Sequence, residues 1–166
     1  MTVRLHSGAM FTVAARTLTE YFTADPAREP ELRQVDKAIR AGAASLKRYL
    51  FTGTGTGRPG MSMTMIGYGT FQYRVAGSDE PIDWPMLGLA LQKNYISLYV
   101  AAVVGDRYLV EDYAGKLGKA KVGRNMVRFA KAAELDQDNF AELLGRIDDG
   151  VRDGSIGFRY GRAKQG

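Results

Sequence analysis

The sequence lacks cysteine and contains a single histidine, His6, in 166 residues. Without thiols, the chain can form no disulfide, no cysteine-ligated zinc or iron–sulfur centre and no thiol nucleophile. One imidazole cannot build a histidine-rich metal site either, and we expect His6 to be an exposed residue near the terminus. These absences leave oxygen atoms as the ligands for any metal, and we predict no cofactor.

Long hydrophobic runs are also missing. No apolar stretch approaches the roughly 18 residues that a membrane helix needs, and residues 1–15 contain no extended apolar region followed by a small-residue cleavage site. We therefore expect a cytoplasmic location and no membrane partner. The hydrophobic content of 45% and the mean hydropathy of -0.23 are typical of a folded globular protein.

Basic residues outnumber acidic ones, since 23 Lys and Arg against 18 Asp and Glu give a formal net charge of +5. Such a surplus favours anionic partners through its long-range field but does not select one of them. The length suits one domain. We divide the chain into an N-terminal extension (1–16), a single α+β domain (17–153) and a basic, glycine-rich tail (154–166).

Apolar residues at three- and four-residue spacing predict helices. The first helix, residues 17–22, is capped by Thr17; the second covers about twenty residues, 31–50, and the last starts from Asp136 or Asp138 as its cap. We also predict a short helix from Asp106 to Gly115.

Alternation with a period of two predicts strands. The predicted strands are residues 61–65 and 71–75, separated by a bend or bulge at Gly67 and Gly69, then 86–92, 95–101, 125–130 and, in the tail, 156–160. Lys93 and Asn94 form a tight hairpin turn, and short connections imply antiparallel pairing. The fold class is therefore α+β, an antiparallel sheet of about five strands with helices packed on one face.

The most enzyme-like stretch is GTGTGRPG, Gly53–Gly60, which contains the GxGxxG pattern of a nucleotide-phosphate loop from Gly55. In a dinucleotide-binding fold, those glycines end a strand and open a helix, whose N-terminal amides hold the pyrophosphate. Here the stretch is predicted to follow a helix and precede a strand, and Pro59 removes one backbone donor. We therefore interpret it as a flexible connection.

A basic, glycine-punctuated segment is a better candidate for anion binding. Its cations are Lys116, Lys119, Lys121, Arg124 and Arg128. Exposed amides and cationic side chains in such a loop can bind a phosphate or a carboxylate, and we select Lys119, Lys121 and Arg124, together with Lys93, as ligand-binding residues. The alternative is a solvated turn whose lysines keep a sheet edge from aggregating.

Several aromatic residues on or beside the strands could line a pocket or fill the core. They are Tyr68, Tyr73, Trp84, Tyr95 and Tyr99. We expect Tyr73 and Trp84 to be core residues. Tyr68, which stands between two glycines on the opposite parity, is the candidate to line a ligand pocket with the basic residues.

Short motifs recur along the chain in a recognisable order: residues 65–69, 71–73, 83–85, 92–94, 97–99 and 117–124. Together they resemble the YdhG-like bacterial domains of unknown function, from about Leu18 to Ile147. The wider family includes proteins described as frataxin-like iron chaperones, so the resemblance implies an antiparallel sheet flanked by helices. One departure is the longer, more acidic link Gly77–Ile82 before Trp84.

The residues leave several functions open. We find no catalytic triad, cysteine nucleophile or metal triad, so the chain is interpreted as a binding protein for an anionic small molecule or an acidic protein. The first alternative is iron handling by scattered carboxylates such as Asp149 and Asp153, although nearby arginines favour surface salt bridges there. The second is weak binding of single-stranded nucleic acid, and free edge strands leave a homodimer open.

Overall fold

A computed structural model describes residues 3–5, 11–53, 63–73 and 81–159. Within them the chain forms three α-helices, α1 (Leu18–Thr23), α2 (Glu29–Gly42) and α3 (Gln137–Asp153). The strands are β1 (Val3–Leu5), β2 (Phe11–Val13), β3 (Arg48–Phe51), β4 (Met65–Tyr73), β5 (Ile82–Leu91), β6 (Ile96–Val100), β7 (Ala102–Val104), β8 (Arg107–Tyr108), β9 (Lys121–Val122), β10 (Met126–Phe129) and β11 (Gly157–Phe158). Two 3-10 helices follow β8 and β10, at Leu109–Tyr113 and Ala132–Glu134.

The main sheet of the described chain has six strands in the order β3-β4-β5-β6-β10-β9, and every neighbouring pair is antiparallel. A smaller sheet, β11-β7-β8, and the hairpin β1-β2 complete the pairing. The predicted α+β class and antiparallel sheet are confirmed, with one strand more than expected. The predicted strands 86–92, 95–101 and 125–130 correspond to β5, β6 and β10.

The two faces of the main sheet bury different residues because successive side chains of a strand point to opposite faces. On β5, Leu87 and Leu89 pack with the three helices in the larger hydrophobic cluster. Trp84 and Ala90 lie on the other face, in a cluster with Phe51 and Met65 that includes no helical residue from the described chain. Helices therefore cover one face, and Trp84 is a core residue of the other.

The second helix is shorter than its apolar spacing predicts. It ends at Gly42, where an added Cβ would lie 2.8 Å from Leu144 Cβ, so the glycine lets α3 approach closely. Leu46 and Leu50 still pack against the main cluster, but Leu50 lies on strand β3. A four-residue spacing puts two side chains on one face of a helix and also of a strand, and for this reason the prediction was wrong here.

Strand β4 is continuous from Met65 to Tyr73, but the predicted irregularity is present at Gly69, which has a left-handed φ of 71° and does not pair with Met86 in the β4–β5 ladder. Gly67 pairs with Gly88 of β5, and a Cβ on Gly67 would lie 2.8 Å from the Tyr49 ring, which covers it. The glycine therefore marks a close approach of a side chain to the sheet.

The predicted helix 106–115 is also wrong in part, because β8 and the 3-10 helix Leu109–Tyr113 occupy this range.

Some predictions fall on parts of the chain outside the described residues. These are His6, the residues 54–60 of the glycine-rich stretch, residues 61–62 and 74–75 of the predicted strands, the acidic residues 79–80 and Tyr160 of the last predicted strand. The stretch Gly53–Gly60 connects β3 to β4, two antiparallel neighbours. Neither of the elements that flank it is a helix, so the strand-to-helix setting of a dinucleotide loop is absent from these described neighbours.

Candidate functional site

Tyr68 lies on the helix-covered face of β4 and is fully buried. Its hydroxyl donates a 2.6 Å hydrogen bond to Asp36 Oδ1 of α2, and Asp36 Oδ2 accepts from Arg48 Nη1 at 2.7 Å and Arg40 Nε at 3.1 Å. Asp36 is only 2% exposed. The network ties α2 to β3 and β4, and it satisfies a carboxylate that would be costly to bury alone.

Burial, and then the adjacent Asp36 carboxylate, raise the pKa of Tyr68 well above its usual value. The hydroxyl therefore stays protonated and keeps its role as a donor. Tyr68 points into the core, so the prediction that it lines a pocket with the basic residues is wrong. The strands β5, β6 and β10 separate its strand from β9, where Lys121 lies.

The predicted basic residues lie on β9 or in connections between β5 and β10, and all of them are exposed. Lys93 is in the β5–β6 turn, Lys119 precedes β9, Lys121 is on β9 and Arg124 is in the β9–β10 turn. Arg128 of β10 belongs with them. We call these five residues the basic strip: Lys93, Lys119, Lys121, Arg124 and Arg128.

At the middle of the basic strip two cations are direct cross-strand neighbours. Lys121 of β9 pairs with Arg128 of β10, so their side chains leave the same face of the sheet. Arg128 Cζ lies 4.9 Å from the centre of the Tyr95 ring, a cation–π contact. Neither cation forms an ion pair within the part of the chain that the structure describes.

Polar groups adjoin this pair on the same face. Ser97 of β6 pairs with Arg128, and its Oγ is fully buried next to Tyr99, making no hydrogen bond of standard geometry within the described residues. Gln92 Nε2 donates to Tyr99 Oη at 3.2 Å. Burial, and to a smaller extent Tyr95, raise the pKa of Tyr99, so this hydroxyl stays neutral at ordinary pH.

The electrostatic surroundings of Lys119 are closer to neutral than those of the other residues of the basic strip. Its amide donates to Glu134 O at 2.8 Å, and the residue lines a shallow depression together with Lys131, Glu134 and Asp136. Two carboxylates beside two cations leave little net positive charge in that depression. The anion-attracting part of the basic strip is therefore centred on Lys121, Arg124 and Arg128.

The acidic residues considered for iron are engaged elsewhere. Asp149 and Asp148 pair with Arg152, and Asp153 accepts a hydrogen bond from Ser155 N. The expected surface salt bridges are thus present on α3. Among the residues that the structure describes, no group of three or more histidine, cysteine, aspartate or glutamate side chains could hold a metal ion.

Arg128 and Tyr95 are named as candidates from the sequence but are not selected for the site, and Ser97 is not considered there. Alternation along β6 could have placed Ser97 and Tyr99 on one face, opposite the apolar Ile96 and Leu98. The pairing of Arg128 with Lys121 and Ser97 depends on the register between three strands, which no local pattern specifies.

Comparison of the chain with protein-family models, curated proteins and solved structures found no match. In the described residues, no helix has both the length and the apolarity that crossing a membrane requires.

Proposed function

We propose that this protein binds an anionic small molecule or an acidic partner at the basic strip, with Lys121 and Arg128 at the centre and Arg124 beside them. We also propose that it is a YdhG-like domain. The order of its motifs and the antiparallel sheet with helices on one face support that family, and the cytoplasmic location remains a prediction.

The observation that supports anion binding best is the direct pairing of Lys121 with Arg128. Like charges opposite each other across antiparallel strands are destabilising, and no carboxylate of the described chain pairs with either cation. By contrast, Arg40, Arg48 and Arg152 all have acidic partners. An anion between Lys121 and Arg128 would relieve their repulsion and receive charge-assisted hydrogen bonds.

The competing explanation is that Lys121 only protects an edge. Strand β9 is the terminal strand of the main sheet, and lysine on an edge strand discourages pairing with another chain. This explanation does not account for Arg128, which lies on the inner strand β10, or for its contact with Tyr95. The two explanations differ in whether an anion raises the stability of the folded protein.

Thermal-shift measurements with inorganic phosphate, pyrophosphate and nucleoside phosphates test the proposal. We expect the melting temperature of the wild type to rise with at least one of them, because a ligand that binds only the folded state stabilises it. Changing Lys121 and Arg124 together to Ala should weaken binding by about tenfold or more, equivalent to about 1.4 kcal/mol.

The matched control is Lys37→Ala with Lys47→Ala, which removes the same charge from exposed positions outside the basic strip. The control should bind like the wild type. If no anion in the panel shifts the wild type, or if both double variants bind equally well, the proposal is wrong.

Frataxin-like iron handling is the alternative, with weaker support because Asp149 and Asp153 already have partners. Titration with ferrous and ferric iron separates the two functions. Binding that disappears when Asp149 and Asp153 are changed to Asn, and persists when Lys121 and Arg124 are changed to Ala, would favour iron.

A further inference from the structure

The basic strip is longer than one anionic group. Lys93 lies in the turn beyond Ile96, and Arg124 lies in the turn beyond Met126, which pairs with Tyr99. These turns are at opposite ends of the β6–β10 ladder, separated by roughly 20 Å, because about six residues of a strand each rise about 3.3 Å. One phosphate cannot contact both ends, so a ligand that uses the whole strip carries repeated charges.

The sheet face beside the basic strip offers planar groups as well as cations. Tyr95 and Tyr99 are partly exposed, and the exposed guanidinium of Arg128 lies over the Tyr95 ring. Bases of single strands stack on aromatic rings and on arginine guanidinium planes. Gln92 adds a partly exposed polar group next to Tyr99 that can hydrogen-bond to a base edge.

We propose that the basic strip binds single-stranded nucleic acid, an inference that rests on the proposed anion binding. Successive phosphates contact Lys93, Lys121 and Arg124, and one base stacks at the Arg128–Tyr95 pair. A carboxylate-rich peptide would use the cations but would supply no base to stack on the Arg128–Tyr95 pair. A duplex keeps its bases stacked inside, so it would not use this pair either.

The test is fluorescence anisotropy with a labelled oligonucleotide of about 12 nucleotides, within the size range of single-strand binding sites. Three other ligands are compared: an abasic oligonucleotide with the same number of phosphates, the corresponding duplex, and a glutamate peptide of equal charge. We expect the single strand to bind at least about fivefold tighter than each, since one stacked base contributes that much or more. With about three phosphate contacts, log K should fall against log salt with a slope of about −2.

Two tyrosine variants check where the base stacks. In Tyr95→Leu, the preference for the base-containing over the abasic strand should shrink by about fivefold or more. Tyr49→Leu makes the same change on the same face at β3, far from the basic strip, and should retain the preference. Circular dichroism and melting temperature verify that both variants are folded.

The outcomes separate this inference from the proposed function. If the abasic strand, the duplex or the glutamate peptide binds as tightly as the single strand, or if Tyr95→Leu retains the full preference, selective binding of a single strand is wrong while anion binding stands. If the single strand does not bind but the glutamate peptide or an anion of the thermal-shift panel does, only the single-strand inference is wrong; if none of these ligands binds, both proposals are wrong.

Discussion

At the scale of single residues, the buried Asp36 carboxylate has the most demanding environment in the described chain. Three donors on three elements, α2, β3 and β4, satisfy it, and Tyr68 is the one that is itself fully buried. Leaving a buried charge without one of its donors costs more than an ordinary hydrogen bond contributes. The role of Tyr68 is therefore to join α2 to β4.

We predict that Tyr68→Phe lowers the free energy of unfolding by about 2 kcal/mol, the effect of removing a hydrogen bond to a charged group. It should also change the alkaline pH dependence. The pKa of Tyr68 is raised in the folded state, so its contribution is complete below about pH 10 and is lost as the pH rises through the folded value. Urea unfolding at about pH 8 and about pH 11 measures both effects.

The variant should lose less stability than the wild type between these two pH values. Some alkaline sensitivity should remain, because burial also raises the pKa of Tyr21 and Tyr49. Equal losses in the wild type and in Tyr68→Phe would show that the Tyr68 proton is not linked to folding.

Two glycines of the basic, glycine-punctuated segment, Gly115 and Gly118, allow the effects of backbone strain and of steric contact to be measured separately. Gly115 and Gly118 have positive φ angles of 77° and 66°, but a Cβ on Gly115 meets nothing within 4 Å, whereas one on Gly118 would lie 2.4 Å from Glu134 O. We predict that Gly115→Ala costs about 1 to 2 kcal/mol and that Gly118→Ala costs clearly more. Chemical denaturation of both variants measures the difference, and equal losses would contradict the close contact.

At the scale of elements, the ends of the helices follow local chemistry. Thr17 caps α1 by accepting from Glu20 N, and Asp136 caps α3 by accepting from Asn139 N at 2.9 Å. Both caps are predictable because a side-chain oxygen must satisfy amides that have no partner in the first turn. The end of α2 at Gly42 is different, since it depends on the contact with α3.

We predict that Asp136→Ala lowers the free energy of unfolding by about 1 kcal/mol, because the Asn139 amide loses its acceptor. Asp138→Ala is the control: it removes an equal charge from the first turn of α3 without removing the cap. Its effect should be smaller, about 0.3 to 1 kcal/mol from the helix dipole. Thermal unfolding of the two variants compares them, and a larger loss in Asp138→Ala would contradict the capping role.

At the scale of the whole molecule, the main sheet joins two hydrophobic clusters. Strand β5 gives Leu87 and Leu89 to the cluster under the helices and Trp84 to the cluster on the other face. The Trp84 ring centre lies 5.0 Å from that of Phe51 of β3, which also ties the edge strand to this second cluster. If one cluster unfolds, the strands that contribute side chains to the other cluster therefore become exposed to water.

We predict a single cooperative unfolding transition. Trp84 is the sole tryptophan of the sequence, so its fluorescence reports on the face without helices, whereas far-ultraviolet circular dichroism reports mainly on the helices. The midpoints of the two signals in urea should coincide, as in a two-state protein. A fluorescence change that precedes the loss of helix would show that the second cluster unfolds independently.

The ion pairs of the described chain lie outside β9 and β10. Arginines on the helices and β3 pair with nearby aspartates and glutamates, whereas Lys121 and Arg128 do not pair with any carboxylate of the described chain. The sequence suggested the Lys119–Arg124 segment because its cations are close along the chain. Tyr68 was assigned there wrongly, because parity alone does not show which face of a strand the helices cover.

Short-range periodicity, turn residues and capping were enough to predict the α+β class, the β5–β6 hairpin, the capped helices and the cationic segment before β10. The three-dimensional fold was needed to show that Leu50 belongs to a strand, that Tyr68 faces Asp36, and that Lys121 lies opposite Arg128 beside Tyr95. Those relations depend on strand order and register, which are set by burying apolar side chains from distant parts of the chain against each other.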